Sequence, residues 1–169
     1  YKLFELLLIN KGDSIMGKKI AIFWPGDYRQ LPNEWALPGV TEATEQMEKA
    51  LAKLGHTSYR VEGFISKPSD AIEKISQITD PIIGIYTHWV YGPHTTDGVV
   101  GNDNPLLLAS NFSGTYPGLV GLLNTSACLE YVNRKHSRVW SDAKDWTKDE
   151  FLMNSLKEWC DTGTINYDK

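Results

Sequence analysis

This sequence predicts an α/β fold: a Rossmann-like or flavodoxin-like three-layer sandwich around a mainly parallel five-stranded sheet. Three observations carry that expectation. Short apolar runs such as "KIAIFW" and "IIGIY" have no polar face, as strands buried on both sides require. Between them lie stretches whose apolar residues recur at helical spacing. The two patterns alternate along the chain, which is the signature of β-α-β units with helices on both faces of the sheet. A strand order such as 2-1-3-4-5 is compatible with this alternation.

The elements follow in order. Residues 19–24 read as the first strand. Residues 41–54 form an amphipathic helix, with Met47, Leu51 and Leu54 on one face and Gly55 placed to end it. Residues 57–61 make a second strand. Residues 67–78 make a second helix, with Pro68 in its first turn and a stripe of Ala71, Ile72, Ile75 and Ile78. The third strand is Ile82–Tyr86 and the fourth is 106–110. Residues 119–133 are a strongly apolar helix with Pro117 near its start. Residues 138–140 suggest a fifth strand, and 147–159 a last helix opened by the capping box "TKDE".

A chain of 169 residues is long enough for one domain with its own core, and 41% hydrophobic with 22% charged residues is an ordinary globular balance. The net charge of −4 and the scattered Lys and Arg argue against a nucleic-acid partner. The densest basic cluster, Arg134, Lys135 and Arg138, falls where a helix should end and is expected to complement its dipole. Two cysteines make no disulfide framework, and Cys128 reads as a small core residue, so a reducing cytoplasm is the expected compartment. No stretch is long enough to span a bilayer, so no membrane partner is expected. "LFELLLI" contains Glu5 and lacks a small-residue cleavage site, which makes it a poor signal peptide.

The domain organisation expected is threefold. Residues 1–15 read as a translated leader or disordered extension: "KGDSI" before Met16 can be encoded through a ribosome-binding sequence at a workable distance. Residues 16–163 are the α/β domain. Residues 164–169, "TINYDK", read as the start of a following segment.

Ligands of open α/β sheets bind beyond the carboxyl ends of the strands. Three segments leave that edge: "PGDYRQLPNEWALPG", "THWVYGPHTTDGVVGNDN" and "NFSGTYPG". The first two are long for connections in such a fold, and long connections are often functional. His88, Trp89 and Tyr91 should lie there beside Asp27, Tyr28, Arg29 and Gln30, with Asn111, Ser113 and Thr115 nearby. Aromatic faces mixed with hydrogen-bonding side chains suit a carbohydrate, whose C–H patches an indole covers and whose hydroxyls Arg, Gln and Asn bind. Other readings stay open. "NFSGTYPG" has the hydroxyls to hold phosphate at a helix N-terminus. His88 and His94 lack a third metal ligand at matching spacing. There is no GxGxxG, no Walker loop and no GxSxG elbow. Trp89 could simply pack over the sheet edge or meet another subunit, and Arg29 could form a surface ion pair.

"THWVYG" after an apolar strand, the Asn-rich loop, and "PLLLASNFSGTYPGLVGLL" together resemble the N-terminal region of the L-fucose isomerase and L-arabinose isomerase family. The first loop, with Arg29 followed by the "ATEQM" helix, fits too. The resemblance runs from about Lys18 to Gly163 and departs at Thr115 and Tyr116, where the fucose isomerases carry an acid-base pair. It implies an aldose–ketose isomerase, an intramolecular oxidoreductase acting on a monosaccharide such as L-fucose or another aldose. In that family a divalent metal, usually manganese (Mn2+), holds adjacent sugar oxygens while a proton moves through an enediol. Its ligands lie in later domains, so no metal ligand and no catalytic residue is assigned to this chain, which alone is expected to be inactive. The first domain in the family contacts substrate across a subunit boundary. The substrate-binding residues implied are Trp89 and Arg29, with Tyr91 and Asn111 as weaker candidates, in a homo-oligomer whose pocket is shared between subunits. The alternative is a stand-alone flavodoxin-like domain that binds a sugar or phosphate, as a regulatory module without catalysis.

Overall fold

The computed structural model describes residues 17–111 and 118–168. The proposed leader, Ser113, Thr115, Tyr116 and Pro117 lie outside these described residues. Five strands form one all-parallel sheet: β1 (Lys19–Pro25), β2 (Thr57–Ile65), β3 (Ile82–Tyr86), β4 (Leu106–Asn111) and β5 (Ser137–Ser141). Their order is β2-β1-β3-β4-β5, the flavodoxin-like arrangement. Helices α1 (Gln30–Lys53) and α5 (Glu150–Thr162) cover one face. Helices α2 (Pro68–Lys74), α3 (Gly92–Val99) and α4 (Gly118–Tyr131) cover the other.

Both faces of the central strands are buried, and the side chains divide by the period of two. Ile20, Ile22, Ile83, Ile85, Leu107 and Ala109 pack under α1 and α5 with Met47, Leu51, Leu156 and Trp159. Phe23, Ile82, Tyr86, Leu106 and Leu108 pack under the other layer with Ala71, Val99, Leu122 and Leu129. No helix among the described residues is long and apolar enough to cross a membrane.

Several elements differ from the expectation. Helix α1 begins eleven residues before residue 41 and absorbs most of the first "loop". Pro32 sits in its first turn, where no backbone N–H partner is needed, and only Pro38 is an interior interruption. Its other end runs as expected, closing on Gly55, with Gly55 N–H donating to Ala52 O and His56 N–H to Leu51 O. Helix α3 replaces part of the second loop, and Pro93 is accommodated in its first turn. Helix α2 is shorter than 67–78, and Ile72 is exposed rather than part of the buried stripe. Thr147 does not cap the last helix: the Asp145 side chain caps a short 3-10 turn at Trp146–Lys148, and Asp149 caps α5 by accepting from Leu152 N–H. Cys160 is buried, while Cys128 is only partly so.

The basic cluster is also corrected. Helix α4 ends on Asn133 in the left-handed region, with Arg134 N–H donating to Leu129 O. That turn sends Arg134 into the protein instead of leaving it solvated at the helix dipole. Its guanidinium donates to Val99 O, Asn102 Oδ1, Asn104 O and Lys135 O, so one side chain ties the α3–β4 connection to the end of α4. Lys135 is exposed, and Arg138 pairs with Glu130 at 3.5 Å.

Strand β2 contains a bulge. Ile22 is opposite Arg60 but Trp24 is opposite Phe64, so β2 advances four residues while β1 advances two. Gly63 supplies the φ of 71° within it. Beyond the bulge, Phe64 turns its ring toward Trp24 (5.6 Å between centroids) and His88 (5.7 Å).

Candidate functional site

Strands β1 and β3 are neighbours, yet the chain leaves β1 into α1 on one face and leaves β3 toward α3 on the other. This is the crevice where open α/β sheets hold ligands. The residues at its mouth are Gly26–Arg29 from β1 and Thr87–Tyr91 from β3.

Asp27 is nearly closed from solvent, and its carboxylate accepts from Arg29 N–H, Nε and Nη2 at 2.9, 2.9 and 2.8 Å. The hydrogen bond from Arg29 holds its pKa below the ordinary carboxylate value, against burial. The pair fixes a guanidinium whose side chain is 56% exposed and which leans over the Tyr28 ring. The other side of the loop is held by Asn33 on α1. Its Nδ2 donates to Asp27 O and Ser66 Oγ, and its Oδ1 accepts from Asp27 N–H.

That orientation of the Asn33 amide decides the state of His88. His88 Nε2 lies 3.1 Å from Asn33 Oδ1, an acceptor, so the imidazole proton belongs on Nε2. Nδ1 is then a buried lone pair with no hydrogen-bond partner among the described residues. Burial lowers the His88 pKa from its ordinary value, with Asp27 opposing. Thr87 Oγ1, next in the chain, is likewise buried and unpartnered among the described residues.

Four rings continue from this polar floor. Trp89 meets Tyr91 edge-on with centroids 4.4 Å apart, Tyr91 leans on Tyr28 at 5.8 Å, and His94 on Tyr91 at 5.4 Å. Trp89 and Tyr91 are only partly buried and Tyr28 is exposed, so the ladder presents aromatic faces to solvent. The loop that carries it rests on glycines of α4. A Cβ on Gly118 would stand 2.6 Å from Tyr86 O, and one on Gly121 would stand 2.7 Å from His88 O, so backbone meets backbone there.

The structure thus brings together Arg29, Trp89 and Tyr91, with Tyr28 as the bridging ring. Asn111 does not join them. It ends β4 and lines a cleft of about 400 Å³ with Ser141, Glu42, Gln46 and Trp35, which meets the crevice mouth only at Thr87. Sequence reasoning missed Asn33 and Trp35 because they sit in the part of α1 that reads as a loop; Gln46 lies inside the predicted helix, where nothing local marks it as facing the cleft. Among the described residues no three His, Cys, Asp or Glu side chains gather as a metal site. None of the described residues is therefore assigned to the manganese that the resemblance implies, and the groups at the crevice mouth offer aromatic contact, orientation and hydrogen bonding.

No protein-family model matches this chain, and no curated protein matches it.

Proposed function

We propose that this domain forms the aromatic wall of a monosaccharide site and serves an aldose–ketose isomerase resembling L-fucose isomerase. The observation that carries this reading is the Tyr28–Tyr91–Trp89 ladder, open to solvent beside the fixed Arg29 guanidinium at the β1/β3 crevice. Rings of this kind cover the C–H face of a sugar, and Arg29 supplies donors for its hydroxyls. Buried Thr87 Oγ1 and His88 Nδ1 add two groups whose desolvation a hydroxyl-rich ligand would offset. The assignment to isomerisation rests on the "THWVYG" resemblance. In this reading proton transfer and manganese belong to residues outside those described, and the wall is completed by another subunit of a homo-oligomer.

The test is saturation-transfer NMR of the chain with L-fucose, L-arabinose and D-glucose. Saturable binding of at least one aldose, weakened several-fold in Trp89→Ala and Arg29→Ala, is the expected result. The reading fails if no aldose saturates the protein, or if Trp89→Ala binds as the unaltered chain does.

A further inference from the structure

The cleft that Asn111 lines lies where the carboxyl ends of β3, β4 and β5 meet α1. Trp35, Glu42 and Gln46 recur at helical spacing, so they share one face of α1, and all three line the cleft. The turn after β5 supplies Asp142 and Lys144. The volume of about 400 Å³ falls within the roughly 300–1,000 Å³ of small-molecule sites.

The polar groups of this cleft are largely unspent. Thr87 is 4% exposed, and its Oγ1 has no hydrogen-bond partner among the described residues. A buried hydroxyl in that state costs free energy that a ligand hydroxyl would return. Gln46 Oε1 accepts from Trp146 N–H at 3.2 Å, which fixes the amide and leaves its Nε2 donors for a ligand. The side chains of Glu42, Asp142 and Lys144 form no ion pair or hydrogen bond among the described residues. The Trp35 ring is 56% exposed and takes no part in the ring contacts of the ladder.

We propose that this cleft is a second binding site, for an unphosphorylated sugar ring, separate from the aromatic ladder and meeting it at Thr87. The chemistry selects that ligand from three classes. An apolar ligand would leave Thr87 Oγ1 and the Gln46 amide without partners. A phosphate would meet two unpaired carboxylates and one unpaired ammonium, a net repulsion. A sugar hydroxyl both donates and accepts, so it can bridge a carboxylate such as Glu42 to a donor such as Gln46 Nε2, while the C–H face of its ring lies on the Trp35 indole. The site does not depend on the ladder holding a ligand or on the isomerase reading. Asn111 belongs to it rather than to the wall formed by Arg29, Trp89 and Tyr91.

Proton–nitrogen correlation spectra of the chain separate the two sites. The Gln46 side-chain amide and the Trp35 indole N–H report the cleft, and the Trp89 indole N–H reports the ladder. The titrants are D-glucose, L-fucose, L-arabinose and inorganic phosphate. At least one sugar is expected to shift the Gln46 and Trp35 signals saturably, and phosphate to leave them in place. Trp35→Ala, at an exposed position and so compatible with folding, should weaken the Gln46 response about five-fold, the effect of uncovering ~40 Å² of sugar C–H surface. Any response of Trp89 should be unaltered in that variant. Cleft signals that no sugar moves, or that phosphate moves as strongly, overturn the proposal, as does a Gln46 response that survives Trp35→Ala in full. A response confined to Trp89 overturns it while upholding the ladder; one confined to Gln46 and Trp35 upholds the cleft and removes the ladder.

Discussion

Truncating Arg134 to alanine removes a clamp that the structure makes unusually complete. The residue is 8% exposed and its guanidinium reaches four acceptors, three of them in the segment from Val99 to Asn104. Burial pulls its pKa below the ordinary arginine value, which shows the cost of holding this charge inside. Hydrogen bonds from a charged donor contribute about 1.5–3 kcal/mol each, but the sum overstates the loss, because the freed carbonyls rehydrate and the desolvation of the guanidinium is recovered. A net loss of about 3–4 kcal/mol is expected. At about 2–4 °C per kcal/mol for a chain of this size, Tm falls by about 6–16 °C. Arg134→Lys keeps the charge, yet one ammonium cannot reach Val99 O, Asn104 O and Asn102 together, so about half the loss should remain. Urea unfolding followed by circular dichroism measures both variants. A loss under about 1 kcal/mol for Arg134→Ala would refute the clamp and return the residue to the helix-dipole role its sequence position suggests.

Three further expectations concern the site. Trp89→Ala should weaken aldose binding about five- to twelve-fold, because some 40–60 Å² of sugar C–H surface at about 25 cal/mol per Å² is about 1–1.5 kcal/mol; unchanged titration curves would remove Trp89 from the site. Gly121→Ala sets a methyl against His88 O and Val90 N, and overpacking of about 1–3 kcal/mol should outweigh the gain in helix propensity of about 1 kcal/mol, lowering Tm and shifting the Trp89 fluorescence; an unchanged emission spectrum would show that α4 does not set the ladder. His56, His88 and His136 all have pKa values lowered chiefly by burial, so each protonates more readily in the unfolded chain. Stability should therefore be full above the unfolded value of about 6.5 and be lost as pH falls through the folded values. Asp27, lowered below 3.8 by Arg29, acts only in a more acidic window. Urea midpoints compared at about pH 7.5 and 5.5 should fall with acid, less steeply in His88→Gln; equal slopes would place the burden on the other two histidines.

The central strands were legible because two buried faces leave an apolar run, and Ile82–Tyr86 has the same bounds in sequence and structure, whereas the edge strand β2, mostly exposed, runs four residues past the expected 57–61. The helices were legible only where packing imposed a stripe, as at Met47 and Leu51. The first turns of α1 and α3 were not, because Pro32, Pro38, Pro93 and Gly92 carry the vocabulary of loops, and only their position within a first turn, or tolerance of one interruption, makes them helical. The aromatic side of the site could be read from its residue types next to an apolar strand. Its support could not: nothing local in Asn33 or Gly121 announces that one orients His88 and the other lets α4 reach the backbone beneath Trp89. Arg134 shows the same limit, since a single left-handed residue, Asn133, decides whether a cation faces water or protein.

The bulge in β2 has a bearing on how this protein behaves in concentrated solution. β2 is an outer strand, and an outer strand with a long regular run of free N–H and C=O groups invites another chain to pair with it. Here the extra residues around Gly63 break that run in its middle, so an incoming strand would lose register after a few residues. Arg60 and Glu62 stand next to the break, and Lys74 caps Glu62 O from the side. The irregularity that delivers Phe64 to His88 thus also denies this edge to fibre-like stacking. Straightening it by deleting two residues would disturb the polar floor of the crevice and open the sheet to aggregation at once.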